Sequence, residues 1–284
     1  MMNESKYDHL IAKIRRKRKW VIALTLIAAL SILLFATPTR IEVMEEVVFE
    51  RKGLHPAWIV TLILLCFFIE VIAYAIVSLP LQTSMDEECD PEKHLILNKH
   101  LSKEKNIDHI YATDYFYLGN YLESVSYSEK LIVSPNEQRV LVGYFNLARC
   151  QFFLENHQLF CQVASEYETK LLNSKKLNAK TKIVYEKIND VLKLMRAILE
   201  KDKEKIIEYR ASVQGWNNSK ATEGFLNFIK GLASYEIDDK EEAIYRFKLV
   251  KEKCSKTIFA ELSKNTLTKY ANTIYRQNKK AGVK

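Results

Sequence analysis

Ala57 to Leu81 reads AWIVTLILLCFFIEVIAYAIVSLPL, 25 residues with one ionisable side chain, Glu70. At about 1.5 Å rise per residue, a helix of this length exceeds a hydrocarbon core of about 30 Å. Nearer the N-terminus, Trp20 to Ala36 (WVIALTLIAALSILLFA) is a second apolar run of 17 residues, close to the lower limit for crossing a bilayer. Its only polar side chains, Thr25 and Ser31, can bond back to their own helix. Trp20, Trp58 and Tyr74 stand toward the ends of the runs, where amphipathic rings favour the membrane interface. The two runs predict a transmembrane helical hairpin over 20–81, with a loop over 37–56.

Charge sets the expected orientation. Six basic residues, Lys13, Arg15, Arg16, Lys17, Arg18 and Lys19, crowd the start of the first run, whereas the loop carries three, Arg40, Arg51 and Lys52. The flank 1–19 is therefore expected in the cytoplasm and the loop outside, and two crossings return the C-terminus to the cytoplasm. The alternative is a cleaved signal peptide. A basic start and an apolar middle fit it, but Leu34-Phe35-Ala36 is a poor small-residue cleavage site. The tail faces the cytoplasm in either case.

Glu70 lies midway along the second run, where a carboxylate costs on the order of 2.5 kcal/mol or more. One reading makes it a polar contact that specifies a partner helix, or a proton or ion site. The other is a protonated Glu bonded to Thr25 or Ser31, or local entry of water. Two helices make no transport path on their own, so ion movement would need oligomers.

After the linker 82–91 (QTSMDEECDP), residues 92–284 amount to one domain's worth of chain. Net charge is +8: the flank to Lys19 carries +5, the loop −1 and Glu70 −1, which leaves +5 for the tail. That suits a neighbour of an anionic leaflet and needs no nucleic acid. The cysteines, Cys66, Cys89, Cys150, Cys161 and Cys254, contain no CxxC pair and are expected as free thiols. Seven Gly and five Pro favour helices over turn-rich β structure. Asp90 before Pro91 reads as an N-cap with Pro at the first helical position, opening a helix to about Lys105.

From Asp108 the chain repeats. Two positions 12 residues apart recur as Ala112/Ser124, Ala148/Phe160, Leu194/Ile206 and Gly231/Ala243, at intervals of 36, 46 and 37 residues. Each pair brackets a polar break: Gly119-Asn120, Glu155-Asn156, Lys201-Asp202 and Asp238-Asp239. Apolar residues at helical spacing follow each break, such as Ala243, Ile244, Phe247 and Val250. Periods of this size with two helices each predict an α-solenoid. An insertion near Glu168 to Lys180 stretches one period, and Thr257 to Gln277 reads as a closing helix.

YFYLGNYLESVSYSEKLIVSP (Tyr115 to Pro135) resembles the tetratricopeptide repeat in its Gly-Asn-Tyr turn, small Ser124 and terminal Pro. KGLASYEIDDKEEAIYRFKLV (Lys230 to Val250) resembles it more closely, with Gly231, Tyr235, Asp239, Ala243 and Phe247 in matching places. In the two middle units Phe160 and Ile206 replace the small residue. The resemblance spans about residues 108 to 253. It implies a concave surface, lined by the first helix of each pair, that binds a peptide segment or another protein. Tyr115, Tyr144 and Phe228 are the aromatic candidates for that groove. Lys182, Lys187, Lys193 and Arg196 read either as a basic stripe for an acidic peptide or as a solvated face.

The chain has no HExxH, GxSxG, GxxxxGKS/T or GxGxxG. Cys89, His94 and His100 are loosely spaced for zinc and lack a fourth ligand. Cys150 and Cys161 have no well-placed neighbouring base. No catalytic residue, metal or cofactor is expected. The sequence therefore predicts an all-α protein, a transmembrane hairpin followed by a tetratricopeptide-like solenoid, that is an interaction scaffold and not an enzyme. Its expected partners are the lipid bilayer and a cytoplasmic protein or peptide. The alternative is an accessory subunit of a larger membrane transport or secretion complex, docked through its hairpin. The Lys-, Ile- and Tyr-rich composition suggests a bacterial-type plasma membrane.

Overall fold

The computed structural model describes residues 4–35, 56–101, 107–217 and 219–280. Among these the chain is all-α, with twelve α-helices, a 3-10 turn over Glu4–Tyr7 and no strand. It divides into two units, Met1–Leu81 and Gln82–Lys284. The loop expected over 37–56 lies outside the described residues, apart from Pro56, which opens a helix.

In the first unit, α1 (Asp8–Phe35) carries the basic flank and the first apolar run as one helix. Lys and Arg are good helix formers and no Gly or Pro interrupts them, so the boundary at Lys19 is chemical and not a helix break. Thr25 Oγ1 donates to the Val21 carbonyl at 2.8 Å, which satisfies the hydroxyl within its own helix. α2 (Pro56–Asp86) starts on Pro56 and contains Pro80. Proline's missing N–H is harmless at a helix start, and Pro80 removes a hydrogen bond only near the end. Ile63–Asp86 is, by length and composition, apolar enough to cross a membrane. More than half of the circumference of α2 is exposed and apolar, including Ile63, Leu64, Phe67, Phe68, Val71 and Ile72. Cys66, Ile69, Ala73 and Ile76 form a half-buried stripe at helical spacing, and Val21, Thr25 and Ala28 form another on α1.

In the second unit, Gln82–Asp86 finish α2, so the first half of the expected linker is helical. The turn that follows α2 passes through Cys89, whose φ is +51°, and the Asp90 N–H donates back to the Ser84 carbonyl at 2.7 Å. Asp90 Oδ1 accepts from the Lys93 N–H at 3.0 Å and caps α3 (Pro91–Leu101); 102–106, where this helix was expected to end, lie outside the described residues.

Helix pairs follow: α4 (Asp108–Tyr117) with α5 (Tyr121–Ile132), α6 (Glu137–Phe153) with α7 (His157–Leu172), α8 (Ala179–Glu200) with α9 (Lys203–Ser212), and α10 (Lys220–Glu236) with α11 (Lys240–Lys253). α12 (Ile258–Lys280) comes last. The two helices of each pair pack together, and α4, α6, α8, α10 and α12 also touch in succession.

The turns within the pairs share one device. Gly119, Glu155, Lys201 and Asp238 all have positive φ, the left-handed conformation that ends helices. Each is followed by Asn or Asp as the next N-cap: Asn120, Asn156, Asp202 and Asp239. Asp202 Oδ1 accepts from the Lys205 N–H at 3.1 Å and Asp239 Oδ1 from the Glu242 N–H at 3.4 Å. Only Gly119 has no β-carbon to strain.

All eight positions of the 12-residue spacing are buried, including Phe160 and Ile206 at 0% exposure. Ser124 Oγ donates to the Ala112 carbonyl at 2.6 Å, and a β-carbon on Gly231 would sit 2.8 Å from the Phe247 ring. The extra residues of the long period lengthen the helices: α7 and α8 have 16 and 22 residues, against 12 and 17 in α5 and α6.

The last helices return to the first. Phe116 of α4 lies 5.5 Å, centroid to centroid, from both Phe225 of α10 and Phe259 of α12. The Tyr117 hydroxyl bonds Thr222, and Ile258 fills the space beside Gly119. Lys256 Nζ pairs with Asp90 Oδ2 at 2.7 Å. Phe153 and Phe228 join the same aromatic centre. The array thus closes on itself around its rings.

Candidate interaction site

Lys230 interrupts the apolar pattern of α10 and lies between two adjoining hollows. One, of about 430 Å³, is bounded by Asn217, Glu223 and Asn227; the other, of about 510 Å³, by Arg210, Asp239 and Glu242. Both reach Lys230 and Arg246. Three cations from three helices therefore meet here: Arg210 of α9, Lys230 of α10 and Arg246 of α11.

Two of the three are neutralised. Arg210 Nη1 donates to Asp239 Oδ2 and to Ser234 Oγ, both at 2.8 Å. Arg246 donates from Nε to Glu242 Oε1 at 2.6 Å and from Nη1 to Asn227 Oδ1 at 2.7 Å. The Arg210 guanidinium beside Asp239 holds that carboxyl below its usual range. Lys230 has no ion pair or hydrogen bond among the described residues. Its ammonium pKa is lowered first by burial and then by Arg246 and Arg210, with Glu242 opposing. Glu241 also lines the second hollow, so the rim is mixed in charge, and Lys230 is the cation there that an entering carboxylate could pair with and whose repulsion it would relieve.

A fourth cation is sealed in. Arg149 of α6 is 2% exposed, with its guanidinium carbon 3.8 Å from the Phe116 ring centre and 4.3 Å from that of Phe145. It bonds Asn146 Oδ1 and the Tyr117 hydroxyl. Among the described residues no carboxylate pairs with it, and burial lowers its pKa. Ring faces replace a counter-ion.

The three expected groove aromatics do not converge. Phe228 is 3% exposed and packs on Phe153, Phe247 and Phe259, and Tyr144 is buried at 9%. Burial leaves neither ring a broad face for a ligand; for Phe228 it follows from closure of the array on α12, whereas Tyr144 of α6 turns its hydroxyl to Glu166 of α7. Tyr115 is half-buried and stacks on Tyr127 at 5.7 Å; Tyr111 joins them, 5.0 Å from Tyr127. Lys130 Nζ lies 4.5 Å from the Tyr127 ring centre. Glu70 is on the exposed part of α2, outside the half-buried stripe.

Other candidates serve packing. Arg196 Nη2 donates to the Cys161 carbonyl at 3.2 Å and Ser165 Oγ at 3.0 Å, and Lys187 Nζ to the Gly215 carbonyl at 3.5 Å. Lys193 lies 3.9 Å from both Glu168 and Asp190. His94 turns Nδ1 to Asp114 Oδ2 at 2.7 Å and ties α3 to α4. Burial pulls the imidazole pKa down, but the Asp114 charge and hydrogen bond outweigh it and the net shift is upward. Asp114, fully buried, is itself raised by burial against the pull of His94. Cys150 Sγ contacts Ser124 Oγ at 3.1 Å, and burial pushes its thiol up to about 11. Among the described residues no three His, Cys, Asp or Glu side chains gather as a metal site.

Sequence reasoning missed Arg210, Lys230 and Arg246 as a group. Their signal was the one that singled out Glu70: Lys230 is a charge inside an apolar helical run, as is Arg149 in LARCQFF. No family model matches the chain, and no curated protein or solved structure matches it either.

Proposed function

We propose that this chain is a membrane-anchored interaction scaffold that recruits an acidic protein segment to the inner membrane face. The single observation that carries the reading is the unpaired Lys230 ammonium between two open hollows, flanked by cations that are already neutralised. The tail is a tetratricopeptide-like solenoid, a view supported by its four left-handed turns and eight buried repeat positions. The two apolar runs form a transmembrane hairpin, supported by the half-buried stripe on each. The six-to-three bias of Lys and Arg puts both termini in the cytoplasm. The chain acts by local concentration and performs no reaction: tethering makes the partner's encounters with other membrane components effectively intramolecular.

Crosslinking in native membranes, with full-length wild-type and Lys230→Glu chains compared by mass spectrometry, tests this. The wild type is expected to capture a discrete soluble protein that the variant loses. Equal capture by both would overturn the role of the hollow. The exposed position of Glu70 favours a second reading, an accessory subunit docked to an integral membrane partner through α2. In that case Glu70→Leu loses a membrane protein while Lys230→Glu does not.

A further inference from the structure

Cys89 and Cys254 are 165 positions apart in sequence, yet the fold brings both to one buried seam, where each thiol shifts the acidity of the other. Cys89 lies in the turn between α2 and α3 and Cys254 caps α11; they are 0% and 1% exposed. This seam is where the tail closes. Beside it, Ser219 Oγ donates to the Met85 carbonyl at 3.2 Å and Lys256 pairs with Asp90. Cys254 Sγ donates to the Lys220 carbonyl at 3.2 Å, which fixes the sulfur at the start of α10. Cys89 occupies a left-handed backbone position, where any β-carbon is disfavoured. Cys66, Cys150 and Cys161 have no such cysteine neighbour among the described residues.

We propose that Cys89 and Cys254 are a disulfide-forming pair that peroxide oxidation converts into a covalent lock on the closed helical array. The Cys254 thiolate attacks one peroxide oxygen. The O–O bond breaks, water leaves after protonation, and a sulfenic acid remains. The Cys89 sulfur then attacks the sulfenic sulfur, expelling hydroxide that takes the Cys89 proton and leaves as a second water. Two thiols and one hydrogen peroxide thus give one disulfide and two waters. Cys254 suits the first step because the hydrogen bond from Cys89 lowers its pKa, against the opposing effects of burial and Glu223, with help from Lys220 and Lys253. Peroxide is small enough to enter as the seam opens locally. Because the bridge spans most of the tail, it constrains a long loop of unfolded chain.

The test uses the full-length chain in detergent micelles, treated with dilute hydrogen peroxide, alkylated with a maleimide and mapped by mass spectrometry. The expected product is a linked Cys89–Cys254 peptide, with Cys66, Cys150 and Cys161 alkylated and the link reversed by a thiol reductant. The midpoint of thermal unfolding should rise by at least about 5 °C on oxidation. That rise should vanish in Cys254→Ser. Alkylation of both Cys89 and Cys254 after treatment that oxidises another cysteine would overturn the proposal. So would a bridge to any other residue, or one between chains. The mapping is done on the wild-type chain and holds even if the Ser variant fails to fold.

Discussion

α2 and α10 are both apolar helices, yet their large side chains end in opposite places. Phe67 and Phe68 of α2 are 63% and 62% exposed, whereas Phe225 and Phe228 of α10 are 0% and 3%. The difference lies in what surrounds the apolar residues. α10 carries Lys220, Glu223 and Lys230 among them, so one side can face water while the other packs on α4, α6 and α12. α2 from Ala57 to Leu81 has Glu70 as its one charge and no polar face. Removing apolar surface from water is worth about 25 cal/mol per Å². α10 obtains that within the chain, whereas the exposed apolar side chains of α2 do not.

The comparison is easiest to break by truncating rings. Phe116→Ala should destabilise the tail by about 3–5 kcal/mol, since the ring is fully buried against Phe225 and Phe259. Phe67→Ala should change it by less than about 0.5 kcal/mol. Thermal unfolding of the full-length chain in micelles, followed by near-ultraviolet circular dichroism, measures both. Equal losses would mean that α2 is packed as a core helix.

Turn chemistry gives a smaller effect. Gly119→Ala should cost about 1–2 kcal/mol, because φ is +80° and the new β-carbon would meet Ile258 at 2.8 Å. Lys201→Gly, at φ +55° with no glycine present, should gain about 0.5 kcal/mol. Denaturant titration reads both signs, and a loss in Lys201→Gly would count against a shared turn device.

Acidity should affect the tail through the His94–Asp114 pair. The folded His94 pKa is raised, so its contribution is fully present below the unfolded value near 6.5 and is lost as pH rises through the folded pKa. Asp114, also raised, takes up its proton earlier on acidification than a free carboxyl. The thermal midpoint of the wild type should therefore fall across that His94 window relative to His94→Gln. Parallel profiles would remove the pair from the account. The smallest expected effect is Glu70→Leu, which should leave unfolding of the tail unchanged within about 0.5 kcal/mol.

Much of the tail was legible in the sequence because the local signals agree. The four polar breaks became four left-handed turns, and the 12-residue spacing marked buried positions. Closure was not legible. Phe228 looked like a groove residue because helical spacing cannot distinguish a concave face open to a ligand from one filled by α12. The cation cluster was hidden for a related reason: Arg210, Lys230 and Arg246 come from three helices, and only their packing places them around common hollows. Lys182, Lys187, Lys193 and Arg196 looked like a stripe because sequence shows charge but not the carbonyls and carboxylates that engage three of the four.

Alkaline carbonate extraction of membranes from cells making the full-length chain tests the central claim most directly. The account predicts that the chain stays with the membrane pellet, because the apolar surface of α2 has no polar side to turn to water. Release into the supernatant alongside peripheral proteins would contradict it and would require the exposed rings of α2 to be covered by protein.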